Sequence, residues 1–177
     1  MKSFVALNLA PLEALNLDIE NNRGAYVKVG LLTGKAARKD EEINNPSLGF
    51  EHEFGNMSHH LPARSFLRMP LRDQLPKRMQ AIGKAVWQAL IDSKGIRAAL
   101  QTLGVYGEEV VDEAFDTGGW GQWAPWSDSY AQKREQSWRE KHHKMKLIGP
   151  IQFRLLVRSG QMEKAVTSEV VGGKASG

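Results

Sequence analysis

Cysteine is missing altogether from the 177 residues. That absence removes disulfides, iron–sulfur clusters and thiolate-ligated zinc from consideration, and it agrees with a reducing compartment. Long apolar runs are missing too. No stretch approaches the roughly 20 apolar residues that a membrane span needs. The N-terminal run Phe4–Leu9 is interrupted by Asn8 and is too short for the apolar core of a signal peptide. The expectation is a soluble, intracellular protein that makes no use of a membrane.

Local signatures of catalysis are also lacking. There is no G-x-S-x-G elbow, and Ser159 before Gly160 reads as a helix N-cap instead of a nucleophile. Gly118-Gly119-Trp120-Gly121 lacks the Lys-Ser/Thr that completes a phosphate-binding loop. Zinc proteases place two histidines four residues apart on one helical face. Here His52 stands between two glutamates, while His59-His60 and His142-His143 are adjacent and point apart. Exposed loop histidines are expected rather than a metal site, and Asp40-Glu41-Glu42 reads as a solvated loop. No catalytic residue, metal or cofactor is expected, and the chain does not read as an enzyme.

What is present is ordinary for a folded domain: 41% hydrophobic and 25% charged residues. One domain over 1–171 with a flexible glycine-rich tail at 172–177 accounts for the length. The net charge is +4, with positive charge concentrated at Lys35–Lys39 and between Lys133 and Lys146. These stretches are either solvated faces or a surface that meets DNA or an acidic partner.

Periodicity predicts strands at 4–9, 25–32, 64–68 and 165–171, with 151–157 either a strand or an extended lead-in. It predicts helices over 11–20 and 47–54, the second capped by Ser47. The main helix carries the stripe Leu75, Met79, Ile82, Val86 and Leu90, with Asp73 as N-cap. A further helix starts near Ile96, but Gly104 and Gly107 predict a kink or two helices before Val110, Val111, Ala114 and Phe115 resume the stripe. Ser127 is expected to cap a helix over 128–140, and a helical turn is expected over 160–164. Residues 34–46 read as an exposed loop. The fold class is therefore α+β: a small, mostly antiparallel sheet packed against two or more helices, with long exposed loops.

Two constellations stand out. Glu108/Asp112 and Glu109/Glu113 place like charges four apart, making either a solvated face or one that a basic partner meets. Trp120, Trp123 and Trp126 fall within seven residues. Tryptophan serves equally in cores and at interface hot spots, so both placements are open.

Five phrases occur in order along the chain: Val27-Lys28-Val29-Gly30-Leu31, Glu53-Phe54-Gly55, Leu61-Pro62-Ala63-Arg64-Ser65-Phe66-Leu67-Arg68, Trp123-Ala124-Pro125-Trp126-Ser127 with Tyr130 and Lys133, and Leu156-Val157-Arg158-Ser159-Gly160-Gln161-Met162 with Ala165-Val166-Thr167. In this order they resemble the tail-completion and head–tail joining (neck) proteins of long-tailed phages, including the Mu-like virion morphogenesis group. Ser65, Trp126 and Met162 depart from the usual proline, leucine and leucine of that pattern.

The resemblance implies a non-enzymatic ring subunit in the virion neck or tail, made in the host cytoplasm. Its implied partners are copies of itself, six or twelve to a ring, and the neighbouring portal or connector, stopper, tail terminator or tail tube proteins. Non-specific contact with channel DNA is compatible with it. The residues expected at interfaces are Trp120, Trp123, Trp126, Lys35, Arg38, Lys39, Arg64, Phe66 and Arg68, with 34–46 and 116–123 as docking loops. The alternative is a basic, DNA-associated binding protein of a phage particle.

Overall fold

The computed structural model describes residues 8–32, 44–142, 153–157 and 159–173. Most of the expected strand 4–9, most of the loop 34–46, the cluster Lys35–Lys39 and the end of the 133–146 segment lie outside the described residues. Among those described are six α-helices and a two-stranded antiparallel sheet, an α+β architecture.

Helix α1 spans Ala10–Asn21, with Pro11 in its first turn where the missing N–H costs nothing. The helical spacing of Leu12, Leu15 and Ile19 does not make a core stripe, because Leu12 and Ile19 remain exposed and Leu15 is only half-buried. What holds α1 is polar. Asp18 Oδ2 accepts the backbone N–H of Ile96 at 2.6 Å, fastening α1 to the start of α4 (Gly95–Thr117).

Strand β1 (Tyr26–Leu31) pairs antiparallel with β2 (Val166–Val171), in register from Tyr26 opposite Val171 to Leu31 opposite Val166. The two strands come from opposite ends of the chain. Helix α4 packs across one face of the pair, while Tyr26, Lys28 and Glu169 lie exposed on the other.

Helix α4 runs unbroken for 23 residues, so the kink expected at Gly104 and Gly107 does not occur. Both glycines are buried beneath the sheet. A Cβ on Gly104 would stand 2.8 Å from Ser168 Cβ and 3.0 Å from Val27 Cγ2, and one on Gly107 would stand 2.9 Å from Val29 Cγ2. The intrinsic helical cost of glycine, about 1 kcal/mol each, is offset by the close approach of strand to helix that only glycine permits.

The segment 64–68 is not a strand. Between it and α3 (Met79–Ala89) the chain turns through a π-helical stretch, Pro70–Gln74, and a 3-10 turn, Leu75–Arg78. Asp73 caps nothing: its carboxylate pairs with Arg72 at 2.6 Å, and the hydrogen bond from that guanidinium holds its carboxyl below the usual range. The start of this helical run is capped from a distance instead, by Glu53 at the end of α2 (Asn45–Phe54).

Three other caps differ in detail. Asn44, not Ser47, caps α2, its Oδ1 accepting Ser47 N–H at 2.9 Å. Gly160 holds the N-cap position of α6 (Gln161–Ala165), while Ser159 Oγ, one residue earlier, accepts Gln161 N–H at 3.4 Å as expected. Ser127 does occupy the N-cap position of α5 (Asp128–Lys141), but its hydroxyl lies 3.4 Å from Ser129 Oγ and makes no capping bond to the backbone. Residues 153–157 form a turn, with Leu156 at φ 61°, and no strand.

The core gathers Phe66, Val111, Ala114, Phe115, Trp123 and Met162. Phe115 packs against Phe66 at 5.3 Å and edge-on against Trp123 at 5.9 Å between ring centroids. Such aromatic pairs contribute about 0.5–1.5 kcal/mol beyond the area they bury.

On α3 the inward face is Ile82, whereas Met79, Gly83 and Trp87 follow at intervals of four along the exposed side, with Ile91 exposed in the π-helical stretch Leu90–Lys94 just beyond. A Cβ on Gly83 would meet no atom within 4 Å. Gly83→Ala is therefore expected to raise the unfolding free energy by about 0.5–1 kcal/mol through helix propensity and a less flexible unfolded chain. Urea denaturation of the single variant measures this.

Candidate functional site

The five phrases meet in space. Glu53 is buried, and its carboxylate accepts Ser65 Oγ–H at 2.5 Å, Leu67 N–H at 3.0 Å and Arg68 N–H at 3.2 Å. Ser65 Oγ in turn accepts Met69 N–H at 2.9 Å. Gly55, at φ 78°, lets the chain fold back so closely that a Cβ there would stand 2.8 Å from Ala63 N. The indole N–H of Trp123 donates to Ser65 O at 3.3 Å, and Met162 is buried in the same core. Residues that look like scattered landmarks in the sequence are fastenings between one another.

Above this knot lies a groove of about 960 Å³. One wall is the end of α2 and the turn through Met57–His60. The other wall is the stretch from Pro125 into α5, with Leu156 and the start of α6 closing one end. On its floor is Arg64, only 3% exposed. Arg64 Nε donates to Ala124 O at 2.8 Å and Nη2 to Pro125 O at 3.2 Å. Among the described residues no carboxylate pairs with it. Burial pushes its pKa below the ordinary arginine value, with Tyr130 acting the other way. A guanidinium held in a low-dielectric site without an anion is costly to bury, and its hydrogen bonds to the two carbonyls offset part of that cost.

The α5 wall has its own order. Trp126, Tyr130 and Arg134 follow at intervals of four, so they share one face. Trp126 meets Tyr130 at 5.5 Å and Phe153 at 6.0 Å. The Arg134 guanidinium lies 4.5 Å over the Trp126 ring and 5.0 Å over Phe153, and donates to Val157 O. Cation–π contacts of this kind contribute about 0.5–2 kcal/mol. They fix the tryptophan face beneath a positive charge.

A smaller cavity of about 230 Å³ is acidic, lined by Glu108, Glu109, Asp112 and Glu163 beside Phe115 and Val166. Arg154 reaches Glu163 with two hydrogen bonds, at 2.8 and 3.1 Å, and also pairs with Asp116. Against partial burial, these carboxylates hold its pKa above the ordinary value. Among the described residues no group of three or more histidine or acidic side chains is placed to hold a metal ion. His142 stacks on Trp138 at 4.2 Å, and His59 Nδ1 lies 3.2 Å from Asn56 Nδ2.

Of the residues expected at interfaces, Phe66 and Trp123 are core and have no surface to offer a partner. Trp120 is half-buried at φ 53°, packed against the core cluster. Arg64 and Trp126 come together in the groove. Arg68 is exposed, 5.0 Å over the Phe54 ring and 3.6 Å from Glu53. Lys35, Arg38 and Lys39 lie outside the described residues. Tyr130 and Arg134 were missing from the expectation as groove residues, although their four-residue spacing after Trp126 was a legible signal.

Because Arg64 joins two carbonyls of the 124–125 turn, Arg64→Ala is expected to lower stability by about 2–4 kcal/mol, leaving those acceptors unsatisfied. The urea midpoint of the purified variant reports it. The chain matches no protein-family model, no curated protein and no solved structure.

Proposed function

We propose that this chain is a structural, non-enzymatic subunit of the neck or tail of a phage particle, acting as a ring component that joins head connector to tail. The sequence phrases support this reading through their order. The observation that carries it is the amount of large apolar side chain left uncovered. Trp87 is 61% exposed and shares its row with Met79 and Ile91, while Phe50 is 66% exposed, Met57 93%, and Phe54 lies beside Phe50 with ring centroids 4.8 Å apart. Contiguous exposed apolar surface of this kind marks sites that other subunits cover. Head-to-tail contacts that close by rotation would turn such surfaces into a ring.

Sedimentation and negative-stain images of the purified chain test the proposal, alone and mixed with tailless heads and free tails. Rings, or joining that depends on the added chain, is the expected result. A monodisperse monomer that neither binds nor joins particle parts would refute it. The DNA-binding alternative draws little support from α5, where Arg139 is paired with Glu135 and Arg134 with Trp126 and Val157. Steeply salt-dependent binding of duplex DNA by the monomer would reinstate it.

A further inference from the structure

We propose that the groove above Arg64 binds an acidic, partly apolar segment of another polypeptide. Three features specify the ligand. The cations are Arg64 on the floor and Arg134 on the wall, and no carboxylate lines the groove among the described residues. The remainder of the lining is largely apolar, including Leu48, Leu61, Leu156 and Met162. Arg64 already spends Nε and Nη2 on backbone carbonyls, and no bond occupies its Nη1 among the described residues. An Asp or Glu side chain is the anion that fits one guanidinium edge, and neighbouring apolar residues would fill the space beside it.

Nucleic acid fits less well. Single strands bind by stacking bases on open aromatic faces, and the Trp126 face is taken by Arg134 while Tyr130 and Phe153 flank its ring. A duplex backbone needs exposed cations, and Arg64 lies at the bottom of the groove, out of reach of a rigid duplex. An incoming carboxylate would also supply the counter-ion that Arg64 lacks among the described residues. This inference goes beyond the neck reading and does not depend on it, since an acidic segment can belong to any partner. Loss of ring formation would leave it standing.

The test uses the full chain and a fluorescein-labelled short peptide of alternating glutamate and leucine, read by anisotropy. A serine–leucine peptide and a short oligothymidylate serve as comparators. Ser127→Asp and Gln161→Glu each place a carboxylate on the groove lining at a helix start, where acidic residues are favourable, so folding is preserved. The expected result is saturable binding of the glutamate peptide, weakened about tenfold or more by either variant at an unchanged thermal midpoint. No saturable binding, equal binding of the serine peptide, tighter binding of oligothymidylate, or variants that bind as the parent does would each overturn the proposal.

Discussion

Glu53→Ala is expected to lower the unfolding free energy by about 3–5 kcal/mol, since each donor left unsatisfied costs about 1–3 kcal/mol. The carboxylate satisfies the Ser65 hydroxyl and the Leu67 and Arg68 N–H groups, three donors that would otherwise be orphaned at the start of a helical run. Deleting it also removes the ion pair between Arg68 and Glu53, at 3.6 Å, though that exposed pair contributes little. Glu53→Gln keeps one acceptor oxygen and should lose about half as much. Ser65→Ala is expected to cost about 1–2 kcal/mol, since it removes both a donor to Glu53 and the acceptor for Met69 N–H. In a double-mutant cycle by chemical denaturation, Glu53 and Ser65 should be strongly non-additive. Additive losses would show that the carboxylate and the hydroxyl do not act as one cap.

Gly104→Val should be nearly as damaging, at about 3 kcal/mol. Its Cβ would lie 2.5 Å from Ser168 Oγ and 2.8 Å from Ser168 Cβ, so helix and strand must separate. Gly104→Ala should cost less, because about 1 kcal/mol of helix propensity is recovered against the clash. Ser168→Gly removes the obstructing atoms. Combined with Gly104→Ala it should restore much of the loss, whereas Ser168→Gly alone should only destabilise. Gly83→Ala on α3, where the space is open, should move stability the opposite way. Thermal melts of these five variants and the parent decide the matter: a Gly104→Ala variant as stable as Gly83→Ala would mean the sheet does not press on α4.

Much of the local structure was legible. Alternation and β-branching marked 26–31 and 166–171, apolar spacing marked α1, α3 and the two halves of α4, and the Ser127 cap signal marked α5. Caps were less legible because several side chains compete for each helix start, and the winner depends on which backbone amides the tertiary fold leaves open. Asn44 displaced Ser47, and distant Glu53 did the work assigned to Asp73. At the groove, Trp126 and Arg64 were in view as single residues. Their meeting was not, since it needs the 124–125 carbonyls to come back across Arg64.

The sequence by itself determined the two paired strands, most of the helices and the α+β class, because periods of two and 3.6 are local properties of backbone geometry. It also excluded chemistry that needs cysteine. The tertiary structure alone decided what the glycines, the charges and the tryptophans are for. Gly104 reads as a helix breaker until β1 and β2 lie across it, and Trp123 cannot be told from Trp126 until one enters the core and the other the groove. Those assignments depend on contacts between residues far apart in the chain, and no local pattern encodes how closely two surfaces will approach.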